Sequence, residues 1–233
     1  MKKYINPDRN EWQALAKRVS TNDDVIAGRV EAILARVKSD GDKAIRELAR
    51  EIDGVELGDI EVSATEYDEA AQLVSQDVKD AIAKAAANIA KFHAAQCFKP
   101  IEVECAPGVK CVQRAVAIRK VGLYVPGGTA PLFSTVRMLA IPAKVAGCPQ
   151  IVLCTPTNKE GKVAPAVLYA ARVCGVDHVY KVGGAQAVGA MAYGTETVPR
   201  VSKIFGPGKQ YVMCAKQQVS MGDVAIEMPA GPS

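Results

Sequence analysis

The sequence predicts an α/β protein in which a mostly helical N-terminal segment precedes a domain built on a parallel sheet. The first observation is that apolar residues recur at helical spacing through much of the N-terminal part. The second is that, from residue 118, short apolar runs alternate with helical patterns, as in proteins built from βαβ units. The third is that a cluster rich in Gly and Pro follows each of these apolar runs.

The N-terminal segment is predicted to consist of several amphipathic helices. Asn22-Asp23-Asp24 is expected to cap a first helix, which Ser39-Asp40-Gly41-Asp42 breaks. A second helical run stops at Asp53-Gly54, and Thr65 or Ser75 is expected to cap the helices that follow.

Strands are predicted in two groups. The first group is a hairpin, with strands at 101–103 and 111–117 around the turn Ala106-Pro107-Gly108. The second group would form the parallel sheet, with strands at 118–125, 150–154, 178–182, 201–205 and 224–228. Helices are predicted between them at 131–147, 162–174, 185–193 and 208–220. Because strands and helices alternate, the helices should cover both faces of the sheet.

The clusters of Gly and Pro predict a ligand site at one edge of that sheet. They are Pro126-Gly127-Gly128, Thr155-Pro156-Thr157-Asn158, Gly183-Gly184-Ala185-Gln186, Gly206-Pro207-Gly208-Lys209 and Pro229-Ala230-Gly231-Pro232-Ser233. Ligands bind at the carboxyl edge of open α/β sheets, where glycine lets the backbone approach them and helix N-termini attract phosphate. A single cluster could serve only to turn the chain. All of them together, with Tyr124, Gln186 and Lys209 among them, favour a nucleotide-type ligand.

Two common nucleotide motifs are absent from this sequence. It contains no GxGxxG, and Gly208-Lys209 lacks the spacing of a Walker A motif and is followed by Gln210. A standard dinucleotide fingerprint and a P-loop nucleotidase are therefore not indicated.

Composition and charge exclude several classes of protein. The chain has 233 residues, of which 49% are hydrophobic and 23% charged, which are values of a globular protein rather than a disordered or coiled-coil one. Lys and Arg exceed Asp and Glu by 29 − 25 = 4, which is too few to indicate nucleic-acid binding. No apolar run reaches the about 18 residues of a membrane span. We therefore expect a cytoplasmic protein that binds neither nucleic acid nor membrane.

No catalytic apparatus stands out among the nucleophiles and bases. The seven cysteines are odd in number and form no CxxC pair, which favours reduced, buried thiols over disulfides or structural zinc. His93 and His178 belong to no metal-ligand or catalytic pair and are interpreted as structural or surface residues. Cys154, at a strand end, is the one cysteine whose position suggests a nucleophile, and it would need a nearby base and a low pKa.

Several long motifs in the second half carry a family resemblance. They are Gly122-Leu123-Tyr124-Val125-Pro126-Gly127-Gly128-Thr129-Ala130-Pro131-Leu132, the run 138–148, Gly183-Gly184-Ala185-Gln186-Ala187-Val188-Gly189-Ala190, Phe205-Gly206-Pro207-Gly208 and Met228-Pro229-Ala230-Gly231-Pro232-Ser233. Together they resemble the histidinol dehydrogenase family. The similarity is dense over residues 122–233 and looser over 1–121, and motifs of this length in this order are highly specific.

The resemblance implies a fold and an activity. The fold would be related to aldehyde dehydrogenases, with 1–121 as the mostly helical part of an incomplete α/β domain and 122–233 as a Rossmann-like NAD-binding domain. The activity would be the NAD- and zinc-dependent oxidation of L-histidinol through histidinal to L-histidine, by a cytoplasmic homodimer. By motif, Tyr124, Gln186 and Lys209 would bind NAD, and Ser233 would bind the substrate. The family usually has Asn where this chain has Lys209.

The resemblance also implies that this chain is the N-terminal cofactor-binding half of such an enzyme. Members of the family are considerably longer, and their zinc ligands and catalytic Glu-His pair match no residue here. We therefore expect the chain alone to be inactive, with an exposed apolar patch where the other half would pack. An alternative is a non-catalytic module that binds a nucleotide, which Lys209 in place of Asn would favour. An unrelated enzyme that uses Cys154 is a third possibility.

Overall fold

A five-stranded parallel sheet forms the centre of the structure, a computed structural model that describes residues 3–16, 24–128, 131–176 and 178–228. A separate antiparallel hairpin consists of β1 (Ile101–Ala106) and β2 (Val109–Gln113). The sheet strands are β3 (Lys120–Tyr124), β4 (Gln150–Cys154), β5 (His178–Tyr180), β6 (Lys203–Phe205) and β7 (Ala225–Ile226). The structure therefore confirms the α/β class, the hairpin and the parallel sheet.

The strand order creates a crevice at the carboxyl edge of the sheet. Neighbouring strands follow the order β5-β4-β3-β6-β7, so the chain moves outward from β3 in one direction and then returns to β3's other side. Ligands of open α/β sheets bind where the order reverses in this way, which here is the boundary between β3 and β6. Residues that follow β3 and β6 are therefore the first candidates for a binding site.

The part of the chain that the structure describes contains eight α-helices. They are α1 (Arg9–Leu15), α2 (Asp24–Leu48), α3 (Ala64–Leu73), α4 (Gln76–Ala94), α5 (Phe133–Val145), α6 (Pro165–Val173), α7 (Gly184–Tyr193) and α8 (Gln210–Ser220). A π-helical turn, Ala49–Asp53, extends α2 and ends at Gly54 in the left-handed conformation. None of the helices among the described residues is long and apolar enough to cross a membrane.

Helix α2 is bent at the predicted break. Gly41 has φ +52° and ψ −129°, which interrupts the helical backbone. Glu196 then accepts a hydrogen bond from the backbone N–H of Asp42 at 2.8 Å, so a side chain from the loop after α7 caps the second part of α2. The cap predicted at Asn22 and Asp23 lies outside the described residues.

The predicted cap at Thr65 was wrong, whereas Ser75 is the N-cap of α4 as predicted. The N-cap of α3 is Ser63, whose hydroxyl accepts from the backbone N–H of Glu66 at 3.2 Å. Glu66 in turn accepts from the backbone N–H of Ser63 at 2.9 Å. This reciprocal capping box satisfies two free donors of the first turn, which Thr65 inside the helix could not do.

Two apolar cores lie on the two faces of the sheet. On one face α2 packs against α7 and α8, and on the other α3 and α4 pack against α5 and α6. Buried residues of α2 recur at helical spacing, at Ile26, Val30, Leu34 and Val37. Helices before residue 121 thus pack against helices after it. The division into domains 1–121 and 122–233 remains a prediction.

The hairpin and an adjoining groove leave apolar surface uncovered. Every residue of β1 and β2 is exposed. Beside the hairpin runs a mainly apolar groove of about 740 Å³, lined among others by His93, Phe98, Val116 and Met138. An uncovered apolar surface of this kind is what the interpretation as an incomplete domain predicts.

Candidate functional site

Loops from neighbouring strands meet tightly at the carboxyl edge of the sheet. Pro156, in the loop after β4, packs between Gly127 after β3 and Gly183 after β5. A Cβ atom on Gly127 would lie 2.7 Å from Pro156 Cγ, and one on Gly183 would lie 2.6 Å from Pro156 Cβ. Glycine is required at both positions because neither leaves room for a side chain. The predicted meeting of the Gly-rich clusters therefore takes place around Pro156.

Gly206 brings the β6 loop against the end of β3 at the crevice. Its φ of +131° disfavours other residues, and a Cβ atom there would lie 2.1 Å from the carbonyl oxygen of Tyr124. The two backbones thus approach as closely as they can where the strand order reverses. This contact sets the floor on which a ligand of the crevice would rest.

Tyr124 lies at the end of β3 and is almost fully buried. Its hydroxyl oxygen accepts a hydrogen bond from the backbone N–H of Gly184, the first residue of α7, at 3.1 Å. Burial raises the pKa of Tyr124 above its ordinary value, so the phenol keeps its proton at neutral pH. The O–H group can therefore donate to a ligand while its oxygen holds the start of α7.

Gln186, in the first turn of α7, is also buried. Its side-chain amide donates through Nε2 to Asp53 Oδ2 at 3.2 Å. Lys159 holds the same aspartate from the other side by donating to its backbone oxygen at 2.6 Å. Burial raises the pKa of Asp53 above its ordinary value. Because Asp53 takes the amide nitrogen, the amide oxygen of Gln186 is left to accept from a ligand.

Sequence reasoning identified Gln186 but missed Asp53. In the sequence Asp53-Gly54 is only a helix stop, and 133 positions separate Asp53 from Gln186. No local pattern connects the two residues. They meet because α2, which the π-helical turn with Asp53 extends, packs against α7.

Lys209 lies at the N-cap of α8 and is exposed. Its side chain does not cap the helix, and Gly183 at the N-cap of α7 has no side chain with which to cap. The first turns of both helices therefore present backbone N–H groups toward the carboxyl edge, and Lys209 adds a positive charge beside one of them. Such a combination suits an anionic group such as phosphate.

The structure also shows the surroundings of the other reactive side chains. Cys154 is fully buried, and burial raises the pKa of its thiol far above the ordinary value, so it cannot supply the thiolate that a nucleophile needs. His178 pairs with Glu61 at 2.7 Å, away from the crevice loops. Lys181, at the end of β5, is buried and bonded to Glu66 at 3.2 Å.

The predicted site residues come together only in part. Tyr124 and Gln186 meet at the start of α7, and Lys209 lies at the start of α8, after the Gly206 loop that packs on Tyr124. Ser233 lies outside the described residues. Within the described ranges no three His, Cys, Asp or Glu side chains are grouped so as to hold a metal ion.

Comparisons with known proteins give one consistent result. The family model described as histidinol dehydrogenase matches residues 16–233. Histidinol dehydrogenase of Bacteroides fragilis strain YCH46 is 54% identical over the whole chain, and that of Yersinia pestis is 49% identical over 96% of it. The crystal structure of histidinol dehydrogenase from Elizabethkingia anophelis superposes with a TM-score of 0.92 at 46% identity over 99% of the chain.

These relatives are about twice as long as this chain. The match spans 54% of the Bacteroides fragilis protein, 50% of the Yersinia pestis protein and 53% of the crystallised chain. The chain therefore spans about half the length of the relatives that it matches.

Proposed function

Because the chain belongs to the histidinol dehydrogenase family, we propose that it forms the nucleotide-binding part of an NAD- and zinc-dependent enzyme. The reaction proposed for the whole enzyme is the oxidation of L-histidinol through histidinal to L-histidine. We propose further that the enzyme acts as a cytoplasmic homodimer. This chain's share of that function is to bind NAD at the crevice between β3 and β6.

The observation that carries the proposal is the convergence of the glycine loops at the point where the strand order reverses. Gly206 packs on Tyr124, and Pro156 packs between Gly127 and Gly183, so the loops after four strands pack together at this edge. Beside Pro156 and Gly183 lies a cavity of only about 10 Å³, which cannot hold a ligand. A nucleotide would therefore lie over the loops, within reach of their backbone N–H groups.

The residues present fit an extended anionic ligand such as NAD. Lys209 and the first turn of α8, which has no side-chain cap, would hold its phosphates. The Tyr124 hydroxyl would donate to the ligand, and the Gln186 amide oxygen, oriented by Asp53, would accept from it. Bound NAD would supply the acceptor for the hydride that leaves the substrate carbon.

The remaining parts of the proposal depend on residues that the structure does not describe. Ser233 would contact histidinol. The described residues include no group of His, Cys, Asp or Glu side chains that could hold zinc. The acid–base groups for the oxidation likewise match none of the described side chains of the crevice.

Titration of the chain with NAD in a calorimeter tests the binding share of the proposal. We expect saturable binding, and Gln186→Leu should raise the Kd about tenfold because one buried amide contact is lost. Gln218→Leu is the matched control, since Gln218 donates to the backbone oxygen of Ala27 at 3.0 Å, toward the far end of α8. Absence of binding, or equal effects of the two substitutions, would contradict the proposal.

A chimeric protein tests the catalytic part. The chain would be joined to the portion of the Bacteroides fragilis relative that it does not match, and NADH formation would be measured with histidinol and zinc. Formation of NADH is expected. A chimera that folds and binds NAD but forms no NADH would instead favour the non-catalytic nucleotide-binding module, for which the exposed Lys209 beside α8 is the supporting observation.

A further inference from the structure

Lys216 is a buried cation on α8. It is only 1% exposed and is the largest of the fully buried side chains. A lysine without a partner in such a place would be strongly destabilising, so its contacts must compensate for the loss of water. Those contacts are with two groups at the crevice.

The two partners of Lys216 are Glu227 and the backbone of Gly206. Lys216 Nζ donates to the carbonyl oxygen of Gly206 at 2.8 Å and forms an ion pair with Glu227 Oε1. The same oxygen of Glu227 accepts from the backbone N–H of Gly206 at 3.1 Å. Both polar backbone groups of Gly206 are thus bonded to one ion pair, which closes a ring of three hydrogen bonds.

Gly206 is the residue whose placement matters most at the crevice. It stands at φ +131° against the carbonyl oxygen of Tyr124, and it begins the turn that leads to Lys209 and the first turn of α8. A residue in this sparsely populated conformation keeps it only when its surroundings fix it. The ion pair supplies that constraint by bonding both polar backbone groups of Gly206.

We propose that Lys216 and Glu227 are positioning residues that fix the Gly206–Gly208 turn in the form that binds the nucleotide. The inference rests on the proposed function, because it assigns the pair a role in NAD binding. Glu227 also directly follows β7 and lies two residues before the segment 229–233.

The test separates positioning from simple stability by removing one partner and then both. Lys216→Met leaves a charged Glu227 without its cation and should lower the melting temperature. Adding Glu227→Leu removes that charge, and replacement of a buried ion pair by apolar side chains often restores stability. We expect the double variant to melt at a higher temperature than Lys216→Met, although below the wild type because the buried backbone groups of Gly206 lose their partners. It should bind NAD with a Kd about tenfold higher, because nothing then holds Gly206.

Thr197→Val serves as the control for stability. Thr197 lies in the loop that joins α7 to β6, at the opposite edge of the sheet. Its hydroxyl donates to the carboxylate of Asp42 in α2. This variant should lose stability and keep the wild-type Kd. If affinity returns with stability in the double variant, Lys216 and Glu227 have only a structural role and the proposal is overturned.

Hydrogen exchange at the Gly206 amide gives a readout that does not depend on NAD. The amide should be protected in the wild-type chain and lose most of that protection in the double variant, while amides in β4 stay protected. Unchanged protection of Gly206 would overturn the positioning role. A wild-type chain that protects Gly206 but does not bind NAD would overturn the proposed function and leave the ring around Gly206 supported.

Discussion

The carboxyl edge of the sheet and the β1–β2 hairpin differ in how much of their surface other parts of the chain cover. At the sheet edge, the loops after four strands pack with atoms in contact, and the side chains of Tyr124 and Gln186 are buried. In the hairpin every residue is exposed, including apolar ones such as Val103 and Val112. An isolated two-stranded hairpin is only marginally stable in water, whereas a five-stranded sheet covered on both faces can be stable by itself.

The two regions therefore differ in how much of their surface is covered. At the crevice between β3 and β6, the described loop residues are in close contact with one another. The hairpin and its groove, by contrast, expose apolar surface that a folded protein normally covers. The chain therefore combines a closely packed sheet edge with an exposed apolar face, and it spans about half the length of the relatives that it matches.

The cysteines offer the largest expected contrast between the two regions. Cys97, Cys105 and Cys111 lie in or beside the hairpin and are exposed, whereas Cys148, Cys154 and Cys174 lie in the sheet region and are buried. Burial raises the pKa of Cys174 to about 11 and that of Cys154 further. We expect iodoacetamide at neutral pH to label the exposed group at least about a thousandfold faster, because the buried group reacts only through opening of the fold.

Mass spectrometry of peptides after timed labelling measures these rates. Rapid labelling of Cys154 would show that the sheet edge is as open as the hairpin, and would also reopen the interpretation of Cys154 as a nucleophile. Slow labelling of Cys105 and Cys111 would show that the hairpin is covered in solution.

Two glycines with positive φ give the next largest contrast. Gly206→Ala should cost about 3 kcal/mol, because strain at φ +131° adds to a Cβ atom 2.1 Å from the oxygen of Tyr124. Gly108→Ala in the hairpin turn should cost only about 1 kcal/mol, since φ is +81° but nothing lies within 4 Å of the new Cβ atom. Denaturant unfolding measures both. Equal costs would mean that the crevice floor is looser than its distances indicate.

The smallest contrast concerns pH. Because burial raises the pKa of Asp53 in the folded state, its contribution favours folding most below the ordinary value of 3.8 and is lost as pH rises through the raised value. Asp53→Asn keeps an acceptor for Gln186 and should remove this fall in stability. Glu102→Gln in the hairpin, which affects only an exposed ion pair with Lys110, should alter the pH dependence very little. Unfolding free energies across acidic and neutral pH compare the two variants, and parallel pH profiles would contradict the expectation.

Local patterns in the sequence predicted the sheet well and its long-range contacts poorly. Strand β4 has the predicted bounds, because its apolar run is enclosed between Pro149 and Thr155-Pro156. The runs at 178–182 and 201–205 were predicted as longer strands than β5 and β6. Val182 and Val201 are buried but lie outside the ladders, so their apolar character reports burial rather than strand pairing.

The candidate site divides in the same way. Tyr124, Gln186 and Lys209 could be placed from the sequence, since each stands in a cluster at a strand end. Asp53, Lys216 and Glu227 could not, because each acts through a partner brought close only by the packing of helices on the sheet. No spacing in the sequence signals such contacts.

The most direct test of the central claim is to follow backbone amide resonances of the chain during titration with NAD. If NAD binds at the crevice, the amides of Gly127, Gly184, Gly206 and Gly208 should shift, while those of Val103 and Val109 in the hairpin stay in place. Shifts confined to the hairpin and its groove, or no shifts at saturating NAD, would contradict the assignment of the carboxyl edge as the nucleotide site.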